Sequence, residues 1–402
     1  MATPLPVASP LQARVLGAGP TGALTALALT EAGWLVSLHD PLTAEQLSQR
    51  NRAYAFSYSS RRLLERLGLW SEMESELVPF RRLELRDCGA GVGLAFSAAD
   101  RGRRPAIPAS ASITPNDAIG WIGQHGPIQH RLLQRLTDDP AAELHLGAGF
   151  AAASDPLIVP ELVVAADGPD SPTRSRLGLG QWSMAYGQAC LTVQVELRGC
   201  ADDEAWELLR PEGPFAVLPL GEGRFQLVWS APQARCRQLE SLPDVAFLDA
   251  LAGALPEKLQ PDALLDRPRA FPVALQLARR LHRGGTVLVG ESGHRCHPVG
   301  GQGLNLCWRD VEVLHRLARR VAAGRLEPAR LGGAYARRRW IDLMLTLAAT
   351  DLLVRLFSNR HPLLLPLRRL GVRSLARFGA LRRLALGAMS DGPCPAMRRA
   401  PE

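Results

Sequence analysis

The fold follows from one glycine-rich stretch, Gly17-Ala18-Gly19-Pro20-Thr21-Gly22. Apolar residues 13–16 precede it, and residues 23–32, rich in Ala and Leu, follow it. This order predicts a strand, a tight turn and a helix. Gly33 ends the helix, and a second apolar strand at 34–38 leads to an acid. Strand, G-x-G-x-x-G turn, helix, strand and acid in this register predict a parallel α/β fold that binds a dinucleotide.

Each position of the turn has its own physical task. Gly17 permits the tight turn, Gly19 lets the backbone approach a pyrophosphate, and Gly22 lets the helix pack closely on the strand. Pro20 and Thr21 begin the helix, whose N-terminal N–H groups and positive dipole end attract phosphate. We therefore expect the whole stretch to bind the cofactor.

Asp40 supplies the acid at the end of the second strand. It lies 23 residues after Gly17, near the separation of about 20 expected for a carboxylate on an adenosine ribose. The alternative is a chance glycine-rich turn, which the flanking elements disfavour. Residues 89–93 have the wrong spacing for a second such motif. We therefore expect one tightly bound nucleotide, and the turn alone does not distinguish FAD from NAD.

A second loop follows the apolar strand at 162–166. It begins with Asp167 and Gly168 and continues to Ser171 and Arg174. A loop at the carboxyl end of a buried strand is typical of a ligand site in this fold. An ordinary strand–turn–helix with Ser171 as the helix N-cap is an equally good interpretation.

Residues 286–289 form another predicted strand, and the loop after it carries the next candidate site. Gly290 and Glu291 place an acid at the strand end, where it can accept ribityl or ribose hydroxyls. Glycines at 300–303 let the backbone pass against a flat ring, and a helix beginning near Leu304 directs its N-terminus there. His294 and its neighbours lack the spacing of a closed metal site, so we expect no metal.

Between these motifs, residues 182–271 alternate apolar and polar side chains. Residues 215–220 and 224–230 predict a hairpin of a half-buried antiparallel sheet. Residues 57–70 carry an apolar helical face, and Arg52 in the preceding polar connection is either a phosphate contact or a solvated charge. The middle of the chain therefore predicts a mostly β substrate domain inserted into the nucleotide fold.

These motifs, in this order, resemble the class A FAD-dependent aromatic hydroxylases of the para-hydroxybenzoate hydroxylase type. The chain is most similar to their ubiquinone-biosynthesis branch, which acts on polyprenylated phenols. The likeness extends from about Arg14 to about Met389. The further segments that carry it are 52–57, 67–70, 186–188, 213–220, 297–310, 357–358 and 370–371.

The resemblance implies bound FAD, with NAD(P)H and O2 as co-substrates and a C4a-hydroperoxyflavin as the hydroxylating species. It assigns Pro298, Gly301 and Gln302 to the catalytic flavin loop and assigns no side-chain base. The implied cofactor-binding residues are Gly17, Gly19, Pro20, Thr21, Gly22, Asp40, Arg52, Gln124, Asp167, Gly168, Arg174, Gly290, Glu291, Gly303, Leu304 and Asn305.

The chain departs from the family pattern at four places. Glu291 replaces the usual Asp, Ser292-Gly293 replaces Ala-Ala, Gly300 replaces Ala, and Gln124-His125 replaces Glu-Asn. Two other interpretations therefore stay open. One is another flavoenzyme on this fold, such as a prenyl-lipid reductase, epoxidase or cyclase. The other is a catalytically degenerate scaffold of a quinone-synthesis complex.

We expect an α/β fold: a Rossmann-like FAD-binding domain with a parallel sheet, an inserted and mostly antiparallel β substrate domain, and a helical C-terminal tail. The FAD-binding domain comprises residues 1–80, 111–181 and 276–325. The substrate domain comprises a β excursion at 81–110 and the β-rich region at 182–275. Residues 326–402 form the basic helical region.

Charge and cysteine content suggest where the protein acts. The chain has 402 residues and a net charge of +8, and residues 311–402 carry 18 arginines against 6 acidic residues. Seven cysteines without C-x-x-C indicate reduced thiols. With no visible signal peptide or spanning helix, we expect a cytoplasmic protein, peripheral on the inner face of a membrane in one interpretation.

The basic tail has two alternative roles. Leucines at 343–356 flanked by arginines suit contact with a membrane that holds a prenylated phenol or quinol substrate, or with a quinone-biosynthesis complex. The other alternative is a helical hairpin packed on the protein itself. No aromatic-basic motif supports nucleic-acid binding.

Overall fold

A computed structural model describes residues 10–101, 117–149 and 160–393. The strands of these ranges are Gln12–Leu16 (β1), Leu35–Asp40 (β2), Ala53–Phe56 (β3), Leu77–Phe80 (β4), Arg82–Asp87 (β5), Val92–Ser97 (β6), Gly120–Gln124 (β7), Ala142–Leu146 (β8), Leu162–Ala165 (β9), Gln181–Arg198 (β10), Glu204–Arg210 (β11), Gly213–Gly221 (β12), Arg224–Pro232 (β13), Gln260–Leu264 (β14), Arg269–Ala278 (β15), His282–Arg283 (β16), Thr286–Leu288 (β17) and His294–Arg295 (β18).

The α-helices of the same ranges are Pro20–Glu31 (α1), Ala44–Ser48 (α2), Tyr58–Arg66 (α3), Trp70–Met73 (α4), His125–Thr137 (α5), Pro172–Arg176 (α6), Gln233–Glu240 (α7), Asp244–Ala252 (α8), Gln302–Ala322 (α9), Pro328–Phe357 (α10), Leu364–Arg377 (α11) and Gly379–Asp391 (α12). Short 3₁₀ turns at Gly290–Ser292 and Val299–Gly301 flank β18.

The first sheet has the strand order β16-β17-β9-β1-β2-β8 and is parallel from β17 to β8. Leu16 at the end of β1 is in register with His39 of β2 and Ala165 of β9. The carboxyl ends of these strands therefore meet at one edge, where α/β folds bind their ligands. Helix α1 lies between this sheet and α9, and its Ala and Leu residues are buried.

The second sheet runs β18-β15-β10-β13-β12-β11-β5-β6, with β14 also paired to β10. Its pairs are antiparallel apart from β11 with β5. The sequence predicted residues 182–271 as mostly β, whereas the structure also forms α7 and α8 there. Their buried residues Cys236, Leu239, Phe247 and Leu251 join the core of this sheet.

A small antiparallel sheet, β3-β7-β4, packs beside β12 of the second sheet. Helices α10 to α12 extend the molecule from α9, and the buried ion pair between Arg368 of α11 and Asp87 of β5 attaches them to the second sheet. In the described ranges, no helix is long and apolar enough to cross a bilayer.

The predicted fold class is confirmed: a parallel α/β unit, an antiparallel sheet and C-terminal helices. The predicted boundary at residue 110 lies outside the described residues. The carboxyl edge of the parallel sheet faces the second sheet, and the candidate site lies in the cleft between them.

Candidate active site

The glycine turn after β1 leaves open space only where a ligand would need it. Gly17 has φ +99°, and a Cβ built on it would lie 2.3 Å from the carbonyl oxygen of Ala166. A Cβ on Gly22 would lie 1.8 Å from the carbonyl oxygen of Gly17. A Cβ on Gly19, in contrast, would meet no atom of the described residues within 4 Å. Gly17 and Gly22 are therefore fixed by packing, and Gly19 faces open space.

The first turn of α1 suits an anion. Gly19 is the N-cap and Pro20 follows it, so no side chain caps the helix. The first turn carries no acidic residue. The N–H groups of this turn and the positive end of the helix dipole are thus available to phosphate oxygens. Pro20 and Thr21 both line the adjoining cleft.

Asp40 is buried at the end of β2, and its side chain holds the glycine turn in place. One carboxylate oxygen accepts a hydrogen bond from the N–H of Ala18 at 2.7 Å, and the other accepts one from Leu42 at 2.9 Å. The side chain therefore fixes the shape of the turn. Its expected contact with a ribose stays a prediction.

The loop after β9 is closed by its own side chains. Asp167 accepts hydrogen bonds from the Ser171 hydroxyl and from the N–H of Thr173. Ser171 is the N-cap of α6 and accepts from the N–H of Arg174 at 2.9 Å. The N-cap interpretation of Ser171 therefore describes the local geometry. Gly168 has φ +85° and completes the turn.

Arg174 joins this loop to the one after β17. Its buried guanidinium donates to the carbonyl oxygens of Pro169 and Ser292, both at 2.8 Å. These bonds direct the side chain between the two loops, outside the lining of the cleft. The structure therefore gives Arg174 a positioning role, while direct contact with a cofactor stays a prediction.

The acid in the loop after β17 faces the cleft. Gly290 has φ +68°, and its N–H donates to Asp310 at 2.7 Å, which turns the chain sharply after β17. The Glu291 side chain is 45% exposed and lies 3.9 Å from the Arg295 guanidinium. It lines the cleft, so it is accessible to a ligand.

A buried ionic network around Asp310 supports that turn. Asp310 also pairs with His294 at 2.7 Å and with Arg339 of α10 at 2.6 Å. Burial raises the pKa of Asp310, but His294 and Arg339 outweigh burial and lower it below its ordinary value. His294 is thus a partner of a structural carboxylate, and His297 pairs with Gln188.

The loop between β18 and α9 has the backbone that its glycines predict. Gly300 and Gly301 have φ +68° and +63°. Within the part of the chain that the structure describes, a Cβ on Gly300 or Gly303 would meet no atom within 4 Å. Gly301 is the N-cap of α9, and no side chain caps that helix. A second open helix N-terminus, close to Leu304, therefore points into the cleft.

Two amides hold this loop in place. The Asn305 side chain donates to the carbonyl oxygens of Ala55 and Gly301 and accepts from the N–H of Ser57 at 3.0 Å. Gln302 donates to the carbonyl oxygens of Gly300 and of Met389, which belongs to α12. These side chains position the backbone, and the C-terminal helix reaches the site.

The cleft between the two sheets has a volume of about 280 Å³. It brings together many of the predicted residues: Pro20, Thr21, Arg52, Glu291, Pro298, Gly301, Gly303 and Leu304. The guanidinium of Arg52 lies 4.5 Å from the centre of the Phe271 ring, which holds it at the cleft. The other predicted residues are not among those that line this cleft: Gly17, Gly19, Gly22, Asp40, Gln124, Asp167, Gly168, Arg174, Gly290, Gln302 and Asn305.

Sequence reasoning missed several residues that line this cleft. Arg50 and Tyr54 lie beside Arg52, and Glu207 and Gln226 lie on the second sheet. Tyr54 donates to His125, and burial raises its pKa to about 12. Arg50 and Tyr54 could have been found from their proximity to Arg52 in the sequence. Glu207 and Gln226 could not, because only the sheet pairing brings them to the cleft.

Comparison with known proteins identifies the family. The model of the FAD binding domain family matches residues 151–342. Ubiquinone hydroxylase UbiL of Rhodospirillum rubrum is 32% identical over 409 residues, covering 95% of this chain and 90% of that protein. The chain belongs to the ubiquinone hydroxylase family of FAD-dependent monooxygenases. The 3-demethoxyubiquinol 3-hydroxylase of Escherichia coli is 29% identical, and the match covers 94% of this chain and 97% of that protein.

Solved structures agree on the fold. The p-nitrophenol 4-monooxygenase PnpA of Pseudomonas putida superposes with a TM-score of 0.76 at 18% identity, covering 96% of this chain and 99% of that one. At this identity the likeness concerns the fold alone. It covers both sheets and the helices that flank them.

The residues of this ubiquinone hydroxylase family member fit FAD. The space over Gly19 and the uncapped start of α1 suit a pyrophosphate, and the space over Gly300 and Gly303 suits a flat ring. Arg50 and Arg52 add positive charge to the same cleft. The protein is therefore an FAD-dependent monooxygenase of the class that typically uses NAD(P)H and O2.

Proposed function

We propose that this enzyme hydroxylates the ring of a polyprenylated phenol or quinol in ubiquinone-type quinone biosynthesis, using NAD(P)H and O2. The observation that carries the proposal is the cleft itself. It joins a dinucleotide turn to an apolar wall of the second sheet, formed by residues such as Leu218, Val228 and Val273. The activities after which the relatives are named, ubiquinone hydroxylase and 3-demethoxyubiquinol 3-hydroxylase, support the same substrate class.

FAD, when bound, supplies the redox chemistry: it takes electrons from NAD(P)H and activates O2 so that one oxygen atom reaches the ring. The protein binds the cofactor and the substrate, orients them and excludes water. Gly19, Pro20 and Thr21 are assigned to the pyrophosphate, Arg52 to a phosphate, and Glu291 to a hydroxyl of the cofactor.

The loop of Pro298, Gly301 and Gln302 is assigned to the ring of the cofactor. The uncapped N-terminus of α9 favours negative charge there, which a reduced flavin carries. Gly303 and Leu304 give the open first turn, and Asn305 fixes its position. The parallel sheet is thus assigned to the cofactor, and the second sheet, with residues 182–275 as its main part, to the substrate.

The experiment is an anaerobic reduction of the purified flavoprotein. NAD(P)H is added with and without a short-chain prenylated phenol, and the visible flavin band is followed. Faster bleaching with the phenol, followed by a hydroxylated product on admission of O2, is the expected result. A flavin that NAD(P)H cannot reduce, or a reduced flavin that yields a cyclised or saturated product, contradicts the proposal.

We propose further that the C-terminal helices contact an anionic membrane surface from the cytoplasmic side. Leucines and a phenylalanine in α10 to α12 and in their connections are solvent-exposed, Leu363 by 78% and Leu384 by 69%. Exposed arginines such as Arg360, Arg373 and Arg377 lie among them. An apolar face with cationic flanks suits the interface of a bilayer that holds a prenylated substrate.

Vesicle flotation tests this contact. The protein is expected to float with vesicles that contain anionic phospholipid and to remain behind with purely zwitterionic vesicles or at high salt. Equal recovery in the soluble fraction with every lipid contradicts membrane contact. It would favour a protein partner of a quinone-biosynthesis complex on this face.

A further inference from the structure

Glu207 is a buried carboxyl group on the wall of the cleft. It belongs to β11, and its cross-strand neighbours are Ala216 of β12 and Leu85 of β5. One carboxyl oxygen accepts a hydrogen bond from the N–H of Gly300 at 3.3 Å. Glu207 is therefore attached to the loop that is assigned to the flavin ring, and it lines the cleft beside that loop.

The cleft side of the second sheet, here called the sheet floor, is mostly apolar. Its residues are Thr192, Ala205, Glu207, Ala216, Leu218, Gln226, Val228 and Val273. The Thr192 hydroxyl already donates to the carbonyl oxygen of Arg269. Glu207 and Gln226 are the buried polar groups of the floor, and both offer acceptor atoms to an occupant.

Gln226 provides an independent observation. Its side-chain nitrogen donates to the carbonyl oxygens of Val193 and Leu227, at 3.1 and 3.3 Å, which directs the amide oxygen away from them. Within the part of the chain that the structure describes, this buried oxygen has no hydrogen-bond partner. A purely hydrocarbon occupant would leave it unpaired, whereas a hydroxylated ring supplies donors.

The charged and titratable groups around Glu207 leave it without an ion pair. Glu291 and Arg295 face the cleft from the segment after β17, Arg50 and Arg52 from the residues before β3, and Tyr54, Cys296 and Cys307 also line it. Cys190 of β10 is a further titratable neighbour of Glu207. In the described ranges, none of them has a hydrogen bond or salt bridge to Glu207. Burial raises the pKa of Glu207 to about 7, and the Gly300 N–H opposes this rise. A carboxyl group with such a pKa can exchange a proton near neutrality.

We propose that Glu207 accepts the proton of the ring hydroxyl of the substrate. The O–H bond of the phenol breaks, its electron pair stays on the phenolic oxygen, and a new O–H bond forms on the carboxylate. The resulting phenolate has a more electron-rich ring, which is the form that an electrophilic oxygen attacks. The proton returns to the oxygen when the product leaves. This inference rests on the proposed ring hydroxylation and adds the proton acceptor that the sequence did not reveal.

The test follows the protonation state of a bound phenol and needs no turnover. Holoenzyme with oxidised FAD, without NAD(P)H, is titrated with 4-hydroxyacetophenone near neutral pH, where the free probe is mostly neutral. Its phenolate absorbs at longer wavelength than the phenol. Wild-type protein is expected to bind part of the probe as phenolate, and Glu207→Gln to bind it as neutral phenol, with at least a tenfold weaker phenolate band.

Two variants serve as controls. Glu207→Asp keeps a carboxylate and is expected to retain part of the phenolate band. Glu196→Gln, an exposed position on β10 of the same sheet, is expected to behave as wild type. Flavin content and visible circular dichroism show that each variant folds and holds its cofactor. A phenolate band of wild-type size in Glu207→Gln, or no bound-phenolate band in the wild type, overturns the proposal.

Kinetics give a second readout that a merely structural role would not change. With a prenylated phenol, Glu207→Gln is expected to lower kcat by about a hundredfold or more with a small change in KM. The acidic limb of the wild-type pH profile should disappear. Loss of kcat with an unchanged pH profile overturns the assignment. Failure of the proposed function can be distinguished from failure of the Glu207 assignment. In the first case the wild-type enzyme forms no hydroxylated product, and the bound-phenolate measurement still reports on Glu207.

Discussion

At the scale of single residues, Gly19 and Gly22 belong to one motif but are required for different reasons. Gly22 is needed by the fold, because a Cβ there would overlap the carbonyl oxygen of Gly17. Gly19 faces open space, so a side chain there obstructs a ligand and leaves the folded chain intact. The same motif therefore contains a folding position and a binding position.

Gly19→Val separates these two roles. It is expected to abolish FAD retention, because the side chain fills the space over the uncapped start of α1, while the free energy of unfolding of the apoprotein changes by only about 0.5 kcal/mol. Flavin absorbance of the purified variant and denaturant unfolding measure the two effects. Full flavin occupancy in Gly19→Val would show that the pyrophosphate lies elsewhere.

Glu291 differs from the family pattern by one methylene group. It is half-exposed on the cleft, so shortening it meets no packing constraint. Glu291→Asp is expected to keep FAD affinity or to improve it by about 1 kcal/mol, the net contribution of one hydrogen bond. Equilibrium titration of the apoprotein with FAD measures this. A large loss of affinity would mean that Glu291 has another partner, with Arg295 as the nearest candidate.

Glu207 also has a consequence for stability. Its pKa in the folded protein is raised from 4.5 to about 7, so folding binds a proton between these values. The stabilisation is complete below pH 4.5 and is lost as pH rises through 7. Glu207→Gln apoprotein should therefore exceed the wild type in free energy of unfolding above pH 7, by up to about 3 kcal/mol, and match it near pH 4.5. Denaturant unfolding at both pH values checks this, and a difference that does not vary with pH argues against a buried titrating carboxyl.

At the scale of elements, the loops after β9 and β17 act as one unit through Arg174. The sequence assigned Arg174 to the cofactor, whereas its guanidinium binds Pro169 and Ser292. Arg174→Ala is expected to lower the free energy of unfolding of the apoprotein by about 2–3 kcal/mol, because it removes buried hydrogen bonds of a charged group. Arg176→Ala, an exposed neighbour on α6, is the control. Unchanged apoprotein stability together with lost FAD binding would restore the direct-contact interpretation.

The sequence predicted the loops whose backbone conformation requires glycine. It missed features that depend on pairing between strands distant in the sequence. Gly17, Gly290 and Gly300 have the left-handed backbone that their motifs indicate. In contrast, Glu207 reaches the cleft only because β11 pairs with β12 and with the remote β5. Helices α7 and α8 were missed because an alternating sheet pattern on either side dominated the interpretation. The glycine-dependent loops can therefore be predicted from the sequence, whereas the residues of the second sheet that line the cleft cannot.

At the scale of the whole molecule, the C-terminal helices have two faces. Buried residues such as Val354, Val372 and Leu386 pack against the second sheet, and Arg368 forms a buried ion pair with Asp87. The carbonyl oxygen of Met389 accepts a hydrogen bond from Gln302 at the start of α9. The packed-hairpin alternative therefore describes one face, and the other presents exposed leucines to solvent. The helices that would contact a membrane through this exposed face are therefore the same helices that hold the active-site loop.

Replacing three exposed leucines of this region tests that arrangement. Leu363, Leu367 and Leu370, all more than half exposed, are changed together to Gln. Because they make little contact with the core, the free energy of unfolding should change by less than about 1 kcal/mol. Flotation with anionic vesicles should fall at least about tenfold, since apolar insertion is lost while the arginines remain. The matched control changes the exposed Leu35, Val245 and Leu265 to Gln, away from the C-terminal helices. Equal loss of flotation in both triple variants would mean that general surface hydrophobicity, and not this helical face, drives the association.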